Sequence, residues 1–499
     1  MSALCGYYKR CQKTASPHPL QDMMSSLAHY GRDRQDIWAG EHIVLGHLET
    51  RVTPESLNEK QPVTYQDDVI TADVRLDNRD ELCNQLDISP AEQTALSDAK
   101  FILLAYQKWG TATPCHLLGD FAFALWDHKK KHLFCARDYP GVRPFYYHAG
   151  SKLFAFASDI HGLLSLPDIS QEFDEVFLSA YLRYRLNFPD NERTFFKHIK
   201  KLPPAHAMVV SQENIRTWQF WEAKNSPQIR FANPNEYIDK LAELFTSSVA
   251  CRLRSAYPVG AHISGGLDSS AIAVTAARIL QERGENLAGG FCWSPQPAPN
   301  EQYLIDDERL LVKSLGKKEN FPIYFSNISL QDKARFALSR YLTPMLQLTH
   351  EFDMRRQAEV LGTRTLLSGW GGDEFIAFNG RGFFQEMLRR GRWRNCYGEL
   401  KARAELYDNS LPGLMTNKLI IPWIPEKIMA ALRPRSGPAR RIVRRKGFVL
   451  PTVLHNDLRV RLEKAEQLTR LTLNDRMKVR PYQLGLIKTD LVKNRPISV

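Results

Sequence analysis

The alternation of apolar and polar positions divides the chain into a strand-rich first third and a later region where strands and helices alternate. Up to about residue 165, short apolar or alternating runs are separated by turn residues, a pattern typical of strands. The clearest runs are Ile43–Leu48, Val69–Val74, Phe121–Asp127, His132–Ala136 and Leu153–Ala157. One helix is predicted at Asp98–Lys108, because its apolar residues share one helical face. Many strands with few helices predict a layered α+β sandwich.

After about residue 235 the apolar spacing becomes helical between short apolar runs. A helix is predicted around residues 237–249, and further helices at 306–315 and 352–361. The predicted strands of this region are Val259–Ser264, Leu287–Trp293, Phe321–Phe325 and Thr363–Ser368. Strands alternating with helices predict a doubly wound, parallel α/β sheet, which binds its ligand at the carboxyl ends of its strands.

Length and composition set the outer limits of the interpretation. At 499 residues the chain is too long for one core, so we predict domains at 1–170 and 235–499 with a linker region at 171–234. No stretch approaches the roughly 18 apolar residues of a membrane helix, and Met1–Arg10 contains no signal-peptide core. Eight scattered cysteines without a Cys-x-x-Cys pair argue against a disulfide framework and a zinc site. These features predict a cytoplasmic protein with no membrane partner.

The net charge of +12 is concentrated late in the chain, within residues 427–446. The basic cluster consists of Arg433, Arg435, Arg440, Arg441, Arg444, Arg445 and Lys446. Neither interleaved aromatic residues nor a known RNA-binding module accompanies it, so nucleic acid is not the favoured partner. We predict a solvated loop, or a surface for an acidic protein or peptide.

The most specific motif follows the strand predicted at Val259–Ser264 and leads into a predicted helix. It consists of Ser264, Gly265, Gly266, Leu267, Asp268, Ser269 and Ser270. Such a turn leaves backbone N–H groups unpaired at the positive end of the helix dipole, where proteins bind phosphate. Its glycines let an anion approach the backbone, and its serines add donors. Asp268 would repel a phosphate unless a cation bridged them, so we predict that it binds Mg²⁺. A glycine-rich helix start without a ligand is the alternative.

A second turn of the same design follows the last predicted strand. It consists of Ser368, Gly369, Trp370, Gly371, Gly372, Asp373 and Glu374. Asp373, like Asp268, lies at a strand end, so the two carboxylates are predicted to share the metal. The first motif lacks the spacing and the lysine of a Walker loop. It resembles instead the pyrophosphate-binding loop of ATP pyrophosphatases (adenine nucleotide alpha hydrolase-like enzymes), which form adenylates. The resemblance implies ATP, with Ser368 and Gly369 also at the nucleotide.

The first 165 residues are similar to the glutamine amidotransferase domain of asparagine synthetases. The similarity is carried, in the family's order, by Cys5-Gly6, His29–Asp33, Gly119–Asp127, Ala136–Asp138, Arg143–Tyr147 and Ala157–Asp159. That family uses an N-terminal cysteine whose own α-amino group is the base. Cys5 is preceded by four residues, and the family's Asn-Gly pair aligns with Ala72-Asp73. The resemblance therefore predicts a degenerate amidotransferase domain, followed by the adenylating domain, in an α/β multidomain protein.

Trp370 separates this chain from the better-known members of that family. Asparagine synthetases have Glu at this position and β-lactam synthetases have Tyr, whereas an indole cannot accept a proton. The motif most resembles that of lasso peptide macrolactam synthetases. The resemblance implies that ATP activates a side-chain carboxylate of a precursor peptide and that the peptide's N-terminal amine closes the ring. It also implies a leader peptidase or recognition protein as partner, and it makes Asp268, Asp373 and Trp370 the catalytic residues.

Two alternatives stay open. An asparagine synthetase that uses glutamine or ammonia is the first. A non-catalytic ATP-binding scaffold is the second, since we find no match before Val499 to the segment that carries the family's catalytic lysine.

Overall fold

The computed structural model describes seven stretches of the chain: residues 1–11, 14–184, 190–222, 229–296, 307–337, 349–372 and 383–420. They fall into two compact units. The first contains Met1–Gln171 and His198–Trp370, and the second contains Glu172–Lys197 and the described residues that follow Trp370. Within the described stretches, no helix combines the length and the apolar character needed to cross a bilayer.

The first unit starts with two six-stranded antiparallel sheets. In spatial order, the first sheet consists of β10 (Lys200–Lys201), β8 (Tyr146–Ala149), β9 (Leu153–Ala157), β1 (Ala3–Lys9), β3 (Ile43–Glu49) and β2 (Arg34–Ala39). The second sheet consists of β12 (Ile215–Gln219), β11 (His206–Val210), β7 (His132–Arg137), β6 (Gly119–Asp127), β5 (Asp68–Leu76) and β4 (Val63–Tyr65). All five strands predicted here are present, as β3, β5, β6, β7 and β9. Strands β10 to β12 come from the stretch that we assigned to the linker.

The predicted α+β sandwich is confirmed. Helices cover the outer faces of both sheets, so this part of the chain has four layers. Contacts to the first sheet come from α1 (Pro17–Ser26) and α5 (Ile160–Leu164), and the second sheet is covered by α4 (Asp98–Trp109) with α2 (Arg79–Leu86) and α3 (Pro90–Ala95). Because strands such as β6 and β9 are packed on both faces, they are buried along almost their whole length. This explains why their sequences are continuous apolar runs instead of strict alternations.

A four-stranded parallel sheet forms the rest of the first unit. In spatial order it consists of β15 (Ile323–Ser326), β14 (Gly290–Pro295), β13 (Val259–His262) and β16 (Thr365–Leu367). All three strand pairs are parallel, as predicted. From β13 the chain adds β14 and β15 on one side, and β16 then pairs with the other side of β13. Such a switch point in the strand order opens a crevice at the carboxyl ends of the strands. Both sequence motifs follow these two strands.

Helices lie on both faces of the parallel sheet. One face packs against α7 (Pro234–Arg252), α8 (Leu267–Glu282) and α9 (Glu308–Lys318), and the other packs against α11 (Thr349–Val360), which contacts α10 (Leu330–Ala337). The strand predicted from Leu287 begins only at Gly290. Leu287 is buried in the core against the helices, so its apolar character reflects packing and not strand pairing.

The end of α7 connects the sandwich to the parallel sheet through buried charges. Arg254 pairs with Glu55 at 2.8 Å and with Asp98 at 3.1 Å. Arg252 pairs with Asp77 at 3.0 Å, and the Asp77 and Asp98 side chains are each only 5% exposed. Buried carboxylates that lost these partners would be left without compensation, which is strongly destabilising. The network therefore holds the two parts as one unit.

The described part of the second unit is mainly helical. Its described α-helices are α6 (Glu175–Tyr184), α12 (Phe383–Arg389), α13 (Trp393–Leu406) and α14 (Leu411–Met415), and a π-helical turn, Thr416–Ile420, follows α14. The last three of these α-helices surround a small core of Phe384, Cys396 and Leu400. The basic cluster Arg433–Lys446 lies outside the described residues.

Candidate nucleotide-binding site

The turn between β13 and α8 is held in shape by its own serine side chains. The Ser264 N–H donates to Ser269 Oγ at 3.0 Å, and the Gly266 N–H donates to Ser264 Oγ at 3.1 Å. The Ser270 hydroxyl donates back to the Ser264 carbonyl at 2.8 Å. These bonds fix the backbone of the loop before any ligand binds, which reduces the ordering cost of binding.

The loop fits an anion. Helix α8 has 16 residues, and its N-cap, Gly266, makes no side-chain capping bond, so the positive end of the helix is left for a ligand. One loop donor already holds a carboxylate: the Gly265 N–H donates to Glu308 Oε2 at 3.1 Å. A phosphate oxygen has the same acceptor chemistry as this carboxylate oxygen. The residues present therefore suit a pyrophosphate group.

The turn after β16 packs directly on the turn after β13. A Cβ added to Gly369 would lie 2.8 Å from Ser269 N and 3.0 Å from its Cα. A Cβ on Gly265 would lie 2.6 Å from Glu308 Cβ. Side chains at either glycine would push the surrounding segments apart. The structure thus brings the first motif and the described part of the second motif together at the switch point of the sheet, with Gly369 against the first turn of α8.

The structure describes most of the other predicted site residues, but not Asp373. Ser368 follows β16 directly, Leu267 begins α8 with its side chain 87% exposed, and Asp268 is half-buried in the first turn of α8. Asp373 lies outside the described residues. Among the residues that the structure does describe, no group of three or more His, Cys, Asp or Glu side chains is arranged to hold a metal ion. The Mg²⁺ site shared by Asp268 and Asp373 therefore stays a prediction.

Trp370 stands at the end of the turn that follows β16. Its side chain is 42% exposed. Its ring lies 6.4 Å from the ring of Trp293 in β14, at an angle of 56°. The two indoles together form an aromatic surface, which we call the indole wall, at the carboxyl edge of the sheet.

Behind the indole wall lies a buried carboxylate, Glu351 of α11, which the sequence analysis missed. Trp293 Nε1 donates to Glu351 Oε2 at 3.1 Å, and His262 Nε2 lies 3.3 Å from the same oxygen. Arg355 pairs with Oε1. Burial alone would raise the pKa of Glu351, but its interactions with His262 and Arg355 outweigh burial and lower that pKa to about 2. A histidine in an otherwise apolar strand was the available signal, but sequence alone could not pair it with a residue on another element.

Two family comparisons match the chain in tandem. A glutamine amidotransferase domain family matches residues 1–221, and the asparagine synthase family matches residues 240–448. The order is the one that the sandwich and the parallel sheet follow along the chain. Each match covers less than half of the chain, and together they show an amidotransferase-like domain followed by an asparagine synthase-like domain.

Curated relatives of the chain carry different names. Asparagine synthetase [glutamine-hydrolyzing] 3 of Bacillus subtilis is 32% identical over 290 residues, which make up 57% of this chain and 45% of the relative. A putative asparagine synthetase of Methanocaldococcus jannaschii is 29% identical over 282 residues, or 53% of this chain and 54% of the relative. Amidase chyE of Penicillium rubens is 26% identical, over 53% of this chain and 39% of its own. The chain thus spans about half the length of the first two.

A solved structure of glutamine phosphoribosylpyrophosphate amidotransferase from Bacillus subtilis is 12% identical to this chain. It covers 69% of this chain and 94% of its own, with a TM-score of 0.34. A likeness this distant has no bearing on function.

Two positions that the resemblance connects with glutamine use, Cys5 and Ala72, are buried in the sandwich. Cys5 lies inside β1, between Gly46 of β3 and Ala157 of β9, and its side chain is fully buried. Burial raises the pKa of the Cys5 thiol far above its usual range, so a thiolate nucleophile is disfavoured. In this geometry Cys5 is a core residue.

The residues that the resemblance assigns to the family's Asn-Gly pair, Ala72 and Asp73, already have hydrogen-bond and ion-pair partners. The Ala72 N–H donates to Gln61 Oε1 at 2.8 Å, and Gln61 Nε2 donates to the Ala72 carbonyl at 2.9 Å. The buried Asp73 pairs with Arg143 at 3.3 Å. The Ala72 backbone donor is therefore already used, and Asp73, which the resemblance assigns to the family's oxyanion-stabilising pair, is a carboxylate. The degenerate character of the amidotransferase domain stays a prediction, which these contacts support.

Proposed function

We propose that this protein is an ATP-dependent carbon–nitrogen ligase that closes a macrolactam in a precursor peptide, as lasso peptide cyclases do. ATP and the peptide are the substrates. A side-chain carboxylate of the peptide attacks the α-phosphorus of ATP, and pyrophosphate leaves. The peptide's N-terminal amine then attacks the acyl carbon of the adenylate, AMP leaves, and one proton is released.

The observation that supports adenylation is the paired-turn geometry at the switch point of the sheet. The self-bonded loop Ser264–Ser270 and the uncapped start of α8 suit the leaving pyrophosphate. Gly369 packs the second turn against this loop, and turns this close together would help to hold the two reacting groups near one another. Asp268 would hold Mg²⁺ together with Asp373, and that ion would neutralise the charge on the departing pyrophosphate.

Two features support a peptide amine as the nucleophile instead of ammonia from glutamine, one in the sandwich and one at the indole wall. Cys5 and Ala72 are built into the core of the sandwich, so a nitrogen source within this domain is disfavoured. Trp370 cannot take a proton from an incoming amine, but with Trp293 it offers an apolar surface. We propose a precursor peptide as partner, supplied by a leader peptidase or recognition protein.

The deciding experiment incubates the purified protein with ATP, Mg²⁺ and each linear precursor peptide encoded by a neighbouring gene. A parallel incubation replaces the peptide by aspartate with either ammonia or glutamine. We expect AMP and pyrophosphate as nucleotide products, and a peptide lighter by one water. Finding ADP as the nucleotide product would contradict adenylation. Conversion of aspartate and ammonia or glutamine to asparagine, without any dehydrated peptide, would favour the asparagine synthetase alternative. ATP binding without turnover of any of these substrates would favour a scaffold.

A further inference from the structure

The buried carboxylate of Glu351 has more partners than the packing of one helix requires. Glu351 is 7% exposed and pairs with donors from two strands and from its own helix. His262 is the last residue of β13, Trp293 lies in β14, and Arg355 is one turn further along α11. A hydrogen bond to a charged acceptor is stronger than one between neutral groups. Glu351 therefore fixes side chains at the carboxyl edge of the sheet, directly before the phosphate loop.

The bond to Trp293 fixes the orientation of its indole. One edge of the ring is held by Nε1–H, 3.1 Å from Glu351 Oε2. The ring is partly buried against a core cluster formed by Phe291, Met354 and Ala358. With one edge bonded and the body packed, this indole has little freedom to rotate. Trp370, which is 42% exposed, contacts it from the solvent side.

The indole wall has the chemistry of a surface for an uncharged peptide segment. The wall is apolar because two indole rings form it, and the charge of Glu351 beside it is paired with Arg355. A free amino acid, with its ammonium and carboxylate, gains little from such a surface. Apolar or aromatic side chains and the flat faces of peptide groups pack well on indole rings.

We propose that Glu351 is a positioning residue, which through Trp293 sets the indole of Trp370 as the wall on which the peptide's reacting segment packs. The proposal rests on the proposed function, whose substrate class it narrows to peptides with an apolar or aromatic residue near the reacting carboxylate. Glu351 acts through Trp293 and does not itself touch the substrate.

A spectroscopic test of the positioning step needs no substrate. Protein labelled with 5-fluorotryptophan gives ¹⁹F resonances that W293F and W370F assign to their residues. In E351Q the amide oxygen can still accept from Trp293, but the charge is lost. We expect E351Q to shift both the Trp293 and the Trp370 resonances by more than their linewidths. A Trp370 resonance that stays unchanged in both E351Q and W293F would overturn the proposal.

The matched control is Glu319, a carboxylate of similar burial on the opposite face of the sheet. It is 7% exposed and pairs with Arg278 at 2.7 Å. E319Q removes a charge of the same kind but should leave both resonances in place. Equal shifts in E319Q and E351Q would mean that the resonances report general loosening, which would also overturn the proposal.

Steady-state kinetics test the peptide-facing role. W293F keeps a packed ring but loses the bond to Glu351, so KM for the cyclised peptide should rise about fivefold, as expected for one lost hydrogen bond. KM for ATP should stay unchanged. W218F, in β12 of the sandwich, is the control and should change neither constant. Wild-type protein that cyclises peptide, with W293F showing the same KM for peptide, would refute this inference alone. Wild-type protein without peptide product would refute the proposed function, and the ¹⁹F measurement would still decide the positioning role.

Discussion

Replacing Gly369 with alanine tests whether contact between the two turns is required for activity. The new Cβ would meet Ser269 N at 2.8 Å and Ser269 Cα at 3.0 Å. Both are backbone atoms in the first turn of α8, so no flexible side chain can move aside. Ordinary contact begins near 3.4 Å, and the turns must therefore separate by about 0.6 Å.

We expect the Gly369→Ala substitution to lower both the stability of the fold and the rate of the reaction. Inserting a methyl group into a packed contact typically costs about 1–3 kcal/mol, so thermal unfolding should occur a few degrees lower. A misplacement of about 1 Å at a reacting centre can lower a rate by roughly 100-fold. For a shift of about 0.6 Å we expect peptide-dependent exchange of pyrophosphate into ATP to fall at least tenfold.

The measurement compares Gly369→Ala with Gly398→Ala. Gly398 lies in α13, and a Cβ there would meet no atom within 4 Å. Alanine favours a helix by about 1 kcal/mol over glycine, so this variant should match or exceed the wild-type melting temperature and keep full exchange. Circular dichroism at the assay temperature separates loss of folded protein from loss of geometry. Wild-type exchange rates in Gly369→Ala would refute the reasoning.

Three further predictions concern named side chains. Asp268→Asn and Asp373→Asn should each abolish AMP formation without lowering the melting temperature, and a variant that keeps near-normal rates at low Mg²⁺ would show that its carboxylate is not a metal ligand. Purified protein should release no glutamate from glutamine, because burial raises the pKa of the Cys5 thiol; release that Cys5→Ala abolishes would contradict this and favour the asparagine synthetase alternative. Trp370→Phe should keep most of the cyclisation rate whereas Trp370→Ala loses much of it, since packing is the proposed role; equal losses in both would point to the indole N–H.

In the candidate site, features formed by neighbouring residues could be predicted from the sequence, whereas contacts between separate elements could not. Ser264–Ser270 could be recognised because neighbouring residues supply its glycines, its hydroxyls and the helix start. The sequence predicted that both turns lie at the carboxyl edge of the sheet, but not that Gly369 meets Ser269 or that Glu308 meets Gly265. Those contacts depend on which strands become neighbours, and their order in the sheet is not their order in the chain.

By itself, the sequence determined the elements whose signals are local. Apolar periodicity located the strands of the sandwich and the helix at Asp98, and glycines after two strands located both turns. Tertiary structure decided what depends on side chains from separate elements. Glu351 became an anchor only because α11 packs on the face that also carries His262 and Trp293. Cys5 became a core residue because β1 is paired on both sides. The burial and pairing of a residue depend on which other strands and helices pack against its element. The residues of that element alone therefore do not determine them.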